Sequence, residues 1–442
     1  MLRLLRPSPR VEAEPADGTE VVDHPLPDTQ PLLAAAQPDA PFERLSPEVV
    51  GTKSGDLIAP CDRPHPRPAK PSLPAQLPAF AVALSGGGFR AALSGMGVLR
   101  FLADAGLLGR VRWVSSVSGG SIANGLFATR YSKLREAGFT AAGLTELVER
   151  PLVETVSMRS LEGTLFRNVW RVIGPPTRTT LLARYLDQWF YSGTLLRDLD
   201  PGCRFVFNAA NLTTGVRFGF ERDVIGDYVI GTVSTHDLPL RVADAVAASG
   251  ALPGALAPYT PKATFPCRPE LVPSLVDGGA YENTATEPID GLDPDEACLV
   301  ALNAGGIFRP GPLGGLPIIR DLTASESLLY RQSTALRMRY LVERFQEWEQ
   351  ARAEHRPAPA GSRRGVLFGL ATTMEAPEEW VSANGDYPAD DIVRLSEVKT
   401  TLGQLPSDLC RDLIRRGWWL AGATLCAYHR ELLPEEVPTW SG

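Results

Sequence analysis

Short apolar runs recur along the chain, and most of them end in small residues. Phe80-Ala-Val-Ala-Leu84 is the first, followed by Ser85-Gly86-Gly87-Gly88-Phe89-Arg90. An apolar run of this length bounded by turn residues is the pattern of a buried strand. Beyond it Leu93, Met96 or Gly97, and Phe101 return at helical spacing, which predicts a helix from about Arg90 to Ala105 with Gly106 as its stop. A second strand is expected over about Val111–Val117. It leads through Ser116-Val117-Ser118-Gly119-Gly120-Ser121 into a helix of roughly Ser121–Ala137, stopped by Gly138. Strand, helix, strand and helix with short links argue for a parallel sheet with helices on its faces.

The pattern then changes. Between about 150 and 200, Met158, Leu161, Leu165, Val169, Trp170, Ile173, Leu182, Leu186 and Trp189 make a stretch of large apolar groups, broken by Gly174-Pro175-Pro176. This predicts a helical insertion that covers one end of the sheet and could line a channel. Arg204–Asn211 and Arg217–Phe220 read as a strand pair around Thr213-Thr214-Gly215, and Val242–Ala248 as a short helix. Leu271–Val276 runs into Asp277-Gly278-Gly279, and Ala297–Leu302 is another buried strand. A long helix is expected over Ser325–Glu354, with Leu328, Leu329, Leu336, Met338, Leu341 and Phe345 on its apolar side. Gly365–Leu370 is a last strand, and Ser407 is expected to cap a last helix with Leu409, Leu413, Leu420 and Tyr428 inward. Residues 1–75 lack periodicity and are rich in Pro, Ala, Asp and Glu, the composition of a poorly ordered or wrapped arm. The domain division is therefore an arm over 1–75 and one α/β domain over 76–442, with the insertion at about 150–200 and a helical part at about 320–442.

Composition narrows the reading. An apolar fraction of 44% and a charged fraction of 21% fit a globular protein, and the net charge of −7 argues against a broad nucleic-acid face. Six scattered cysteines without a CxxC pair suggest free thiols in a reducing compartment rather than a disulfide framework. The five histidines do not cluster, so a metal site is hard to build, and no DxDxDG loop invites calcium. The N-terminus, MLRLLRPSPR, lacks the apolar core of a secretory signal, and no run of 18 apolar residues would span a bilayer. A cytoplasmic location follows as the expectation, with peripheral contact at membranes left open.

The chemistry lies in the turns. Three glycines between a strand and a helix let backbone N–H groups approach a ligand, and the helix N-terminus adds a positive field. Gly86, Gly87 and Gly88 therefore suit an anion, either a phosphate or the oxyanion of an acyl-transfer intermediate, with Arg90 as an added charge. Gly86, Gly88 and Ala91 also satisfy GxGxx(G/A), but the next strand ends in serines where a dinucleotide site needs an Asp or Glu. In the second turn Ser118 has Ser116 at −2 and Gly120 at +2, which meets GxSxG except for its first glycine. Ser116 and Ser121 fit worse as nucleophiles. A serine needs a base; His236 is one option, but Asp277, at a strand end with Gly278 and Gly279 beside it, is better placed.

These three motifs in this order resemble the patatin-like phospholipase family, in a form similar to cytosolic phospholipase A2 and lysophospholipases. The resemblance covers about residues 78–283, and the Leu252-Pro253-Gly254 block is similar to the family's small-residue segment. It implies a three-layer α/β/α patatin-like fold with a mostly parallel central sheet. It also implies a Ser–Asp dyad of Ser118 and Asp277, an oxyanion hole at Gly86, Gly87 and Gly88, and Arg90 on the substrate phosphate. No cofactor and no metal are implied. The expected substrate is a phospholipid or another fatty-acyl ester. The alternative is a nucleotide-binding or regulatory α/β module that uses the glycine loop.

Overall fold

β1 (Ala79–Leu84) is buried along its whole length, yet its two faces differ in size. Ala79, Ala81 and Ala83 point to one side with Trp113, Ile289, Leu341 and Phe345, whereas Phe80, Val82 and Leu84 point into the larger core on the other side. A strand apolar on both faces belongs at the centre of a sheet covered on both sides. The computed structural model describes residues 60–167, 177–306 and 317–441. Val169, Trp170, Ile173, the Gly174-Pro175-Pro176 break and most of the N-terminal arm lie outside the described residues.

In chain order the elements used below are β1, α1 (Gly88–Asp104), β2 (Val111–Val117), α2 (Gly119–Glu136), α3 (Arg150–Met158), α4 (Leu161–Arg167) and α5 (Arg178–Leu186). There follow β3 (Arg204–Asn211), β4 (Val216–Phe220), β5 (Val224–Asp227), β6 (Gly231–Ser234) and α6 (Val242–Ser249). The last are β7 (Leu275–Asp277), β8 (Ala297–Asn303), α7 (Pro317–Ala353), β9 (Gly365–Gly369) and α8 (Ser407–Tyr428). The sheet runs β6-β5-β4-β3-β2-β1-β8-β9, with β7 added on β3. It is mixed. From β3 to β9 the neighbours are parallel, and from β3 to β6 they form an antiparallel meander. Helices cover both faces, so the α/β fold read from the sequence is the fold observed, but the sheet expected to be mostly parallel has as many antiparallel as parallel pairings, because β4 to β7 return as hairpins and an antiparallel addition on β3.

One detail of register positions the site. β2 runs parallel along β3 and stops with Val117 opposite Asn208. β7 then takes the same edge in the opposite direction, with Asp277 opposite Ala209. The two strands therefore meet head to head, and Ser118 and Asp277 leave them at the same point. Gly278 is needed at this junction, because a Cβ there would collide with Asn208 O.

The helical layer on the larger face is close-packed. Gly97 of α1 and Gly417 of α8 let the two helix backbones touch, since a Cβ on either would strike the other helix's carbonyl, Ile414 O or Ser94 O. Phe101 packs edge-on against Trp380 and Trp418 at 5.8 Å, beyond the contact of the helices themselves. On the other face α7 departs from expectation. Its inward residues are Leu341 and Phe345, while Leu329 is 70% and Leu336 59% exposed. In the first half of the helix Tyr330 is the residue turned toward the sheet, against Gly279 and Gly305. At the C-terminal helix Ser407 is the first helical residue after Pro406 and makes no side-chain cap, and Tyr428 is exposed while Leu413 and Leu420 are buried.

The expectation of free thiols holds for Cys203, Cys298, Cys410 and Cys426, all buried. It fails for Cys61 and Cys267, which form a disulfide across 206 residues. The compartment read from cysteine usage loses its basis at that pair. Among the described residues no helix is long and apolar enough to cross a membrane.

Candidate active site

Ser118 stands at the turn from β2 into α2 with φ 51° and ψ −118°. A positive φ on a non-glycine residue costs about 1–3 kcal/mol, and it persists only where the surroundings enforce it. Here they do. The Ser118 N–H donates to Ser249 Oγ at 2.9 Å, and Ser249 Oγ in turn donates to Asn208 O at 2.6 Å. On the other side the turn presses on the glycine loop, because a Cβ at Gly119 would collide with Gly88 O, and one at Gly120 with Leu84 O.

Ser116, which stands where GxSxG has its first glycine, is fully buried in the strand. Its hydroxyl lies 2.9 Å from Ser121 Oγ and accepts from Asn124 Nδ2 at 2.8 Å, so it is satisfied inside the sheet. It faces away from any solvent-reachable space. Ser121 Oγ sits in the same network, 2.9 Å from Ser249 Oγ. Of the three serines, Ser118 alone lines the cavity described below.

Asp277 is buried at the end of β7. Its carboxylate accepts hydrogen bonds from the Ser118 hydroxyl and from Gly279 N–H, the latter at 2.8 Å. Burial disfavours the ionised form and pushes its pKa up to about 6, against the opposing pull of those two hydrogen bonds. Among the described residues no histidine lines the cavity, and His236 is exposed on the loop after β6.

The glycine loop divides its amides. Gly86 N–H is committed to Asn283, with its Oδ1 at 3.0 Å and its backbone O at 3.3 Å. Gly87 and Gly88 lie at φ 146° and 62°. Their N–H groups, with that of Gly119, have no partner among the described residues. The N-termini of α1 and α2 thus converge beside Ser118 with these donors unpaired. Phe89 N–H donates to Thr401 O at 2.9 Å and fixes the loop from behind.

Arg90 does not line the cavity. It is 2% exposed. Its Nη2 donates to Ala304 O at 2.8 Å and to Thr400 Oγ1 at 3.2 Å, its Nε donates to Ala304 O at 3.1 Å, and its Nη1 donates to Val398 O. It ties the start of α1 to the loop after β8 and to the 398–400 segment.

Above these groups lies a cavity of about 390 Å³. Gly88, Ser118, Gly119 and Asp277 form its floor, and its walls are mostly apolar, with Leu165, Leu182, Leu186, Val246, Leu252 and Leu256 among them. α4, α5 and the segment Thr400–Leu402 close the sides. Glu162 Oε1 holds two of these together by accepting from Thr401 Oγ1 at 2.7 Å and Leu402 N–H at 2.6 Å. Among the described residues Arg178 is the cation of the lining, and it donates to Ala255 O at 3.2 Å.

Sequence reading missed Ser249 and Asn283. Ser249 looked like the end of a short helix, and its polar side chain in an alanine-rich segment was the only hint. Asn283, 1% exposed, carries no spacing signal in a loop of Thr and Glu. Both act on backbone amides that only the folded turn brings near them.

A serine on a sharp strand-to-helix turn of an α/β sheet is a geometry that serine acyl hydrolases use. Residues 82–290 match the model of the family described as patatin-like phospholipase. No curated protein sequence matches the chain. Among solved structures it is similar to human GIVD cytosolic phospholipase A2, at 14% identity and a TM-score of 0.46 over 80% of this chain and 60% of that one. It is also similar to the same human protein in complex with methyl gamma-linolenyl fluorophosphonate, at 16% identity and a TM-score of 0.46 over 80% and 59%. VipD from Legionella pneumophila matches at 14% identity and a TM-score of 0.31 over 79% and 71%. The chain therefore spans about 60% of the length of the human structures.

Proposed function

We propose that this protein is a lipid acyl hydrolase of the phospholipase A or lysophospholipase type, working through Ser118 and Asp277. The observation that carries the reading is the hydrogen bond from the Ser118 hydroxyl to a buried Asp277 on the floor of an apolar cavity. A carboxylate with its pKa raised toward 6 is a stronger base than an ordinary one and is still ionised at neutral pH. Asp277 takes the proton as Ser118 attacks the ester carbonyl. The Gly87, Gly88 and Gly119 amides receive the oxyanion, while Gly86 contributes by holding the loop through Asn283. Asp277 gives that proton to the departing alcohol, which leaves an acyl-serine; the regenerated carboxylate then takes a proton from the attacking water and returns it to Ser118 as the fatty acid leaves. No step calls for a metal or cofactor.

The walls support a fatty-acyl chain as the group bound. The phosphate contact first read for Arg90 falls better to Arg178, because Arg90 has its donors bound to carbonyls and a hydroxyl, whereas Arg178 reaches the lining. α4 and α5 serve as the cap, and a lipid surface is the expected source of substrate. The nucleotide-binding alternative finds little support: the glycine loop faces a serine and a carboxylate, and that carboxylate would repel a pyrophosphate. The test is hydrolysis of a p-nitrophenyl fatty-acyl ester. Ser118→Ala is expected to abolish it with the fold intact, and full activity in that variant overturns the reading.

A further inference from the structure

We infer that Cys61, His65 and Cys267 form a redox-gated metal site, closed as a disulfide when oxidised and able to bind Zn²⁺ when reduced. The inference is independent of the proposed hydrolase activity.

One ligand atom from each of the three residues lies within 4.8 Å of the other two. His65 Nδ1 is 3.3 Å from Cys61 Sγ. A tetrahedral zinc, with bonds of about 2.3 Å to sulfur and about 2.0 Å to nitrogen, sets such ligands about 3.5 Å apart. The Cα atoms of the cysteines are 5.5 Å apart, a span that suits a disulfide and equally two thiolates on one ion.

The cross-link is not what holds these residues together. Cys61 N–H donates to Tyr228 O at 2.6 Å and Cys267 N–H to Ile230 O at 3.1 Å, so both cysteines are pinned by backbone bonds to the same β5–β6 turn. Arg63 Nη1 donates to Pro266 O at 2.9 Å, a third tie between the two segments. Gly231, at φ 78°, makes room beneath them, since a Cβ there would lie 2.8 Å from Cys61 Sγ. Prolines at 64 and 66 flank His65 and limit the backbone that carries it. Reduction therefore leaves two thiols and an imidazole in place. His65 Nδ1 also contacts Arg63 O at 2.8 Å, a bond it gives up to become a ligand through that nitrogen.

The chemistry balances simply. A dithiol passes two electrons to the Cys61–Cys267 disulfide and is itself oxidised to a disulfide, leaving two thiols on the protein. Metal binding sends their two protons to solvent, and the two thiolates cancel the 2+ charge. Thiolate and imidazole together select zinc or cobalt over magnesium or calcium. Water completes the fourth position. In both states the segment that leads into β1, and so toward the glycine loop, stays stapled to the meander. Sequence reading set a metal site aside because the cysteines form no CxxC pair and the five histidines do not cluster; the fold brings these two cysteines together across 206 residues.

The test uses the full chain and Co²⁺ as a spectroscopic probe. After reduction with a phosphine, removal of the reductant without air, and a thiol count that verifies six free thiols, one Co²⁺ per chain is expected. It should show a sulfur-to-cobalt charge-transfer band and intense visible bands of tetrahedral form, and Zn²⁺ should displace it. The oxidised chain should bind none. His65→Ala, which leaves the disulfide able to form, should weaken binding about a hundredfold or more, since loss of even an outer-sphere partner costs about 10- to 100-fold. Cys410→Ser, at a buried free cysteine of α8 that is not one of the three, should bind as the parent does. Absence of the charge-transfer band in the reduced parent overturns the proposal, as does a band that His65→Ala leaves unchanged.

Discussion

The floor and the walls of the cavity are built by different means. The floor is backbone packed on backbone: Gly119 against Gly88, Gly120 against Leu84, Gly278 against Asn208. Its polar groups are fixed by buried hydrogen bonds through Ser249 and Asn283. The walls are side chains, mostly leucines, tied across a gap by Glu162 and by Arg178. Atoms in a floor of this kind cannot yield, because no rotamer relieves a clash between main chains. Walls of side chains can repack. Chemistry should therefore depend steeply on the floor, and substrate choice gradually on the walls.

The largest effect is expected at the base. Asp277→Asn keeps the size of the side chain and removes its charge, and activity on an acyl ester should fall about 10⁴-fold with the thermal transition preserved, by analogy with loss of the orienting carboxylate in other serine hydrolases. In the parent, kcat/KM should rise as pH climbs through about 6, because the carboxylate is the working form and burial has raised its pKa to that value. An activity that is flat between pH 5 and pH 7 would remove Asp277 from the mechanism. Gly119→Ala tests the packing itself. The added methyl strikes Gly88 O, so activity should drop about 100-fold from misplaced groups. The melting temperature should fall by about 2–6 °C. If the variant matches the parent in both, the floor is softer than described.

The walls should respond less. Leu165→Trp fills part of the cavity and should shift preference from long to short acyl chains by about tenfold in kcat/KM, with little change for the shortest ester. Equal loss across chain lengths would mean that Leu165 supports the floor instead. Glu162→Gln is the mildest. An amide oxygen can still accept both hydrogen bonds that Oε1 now takes from Thr401 and Leu402, only without the charge that strengthens them, so a change of a few-fold in KM and none in kcat is expected.

The same division explains what was legible in the sequence. The floor's turns announce themselves locally, since three glycines after an apolar run and a serine flanked by small residues have few other uses. Asp277 was legible for the same reason, through Gly278 and Gly279. What joins them was not. The head-to-head meeting of β2 and β7 depends on a three-residue strand whose register is set by β3, and no periodicity is visible over three residues. Arg90 looked like a ligand because arginine beside glycines suits phosphate, but its neighbours come from residues 304, 398 and 400, far along the chain. The apolar positions of α7 misled at Leu328, Leu329 and Leu336, which are exposed, because a hydrophobic stripe does not say which of its residues find a partner.

The central claim is that Ser118 and Asp277 act as one unit on this floor. Labelling of the full chain with a fluorophosphonate, with the adduct located by mass spectrometry and its rate followed against pH, tests that claim most directly. The account predicts a single adduct on Ser118, formed at a rate that rises through about pH 6 and is nearly lost in Asp277→Asn. An adduct on another serine, or labelling of Ser118 at an undiminished rate in Asp277→Asn, would contradict it.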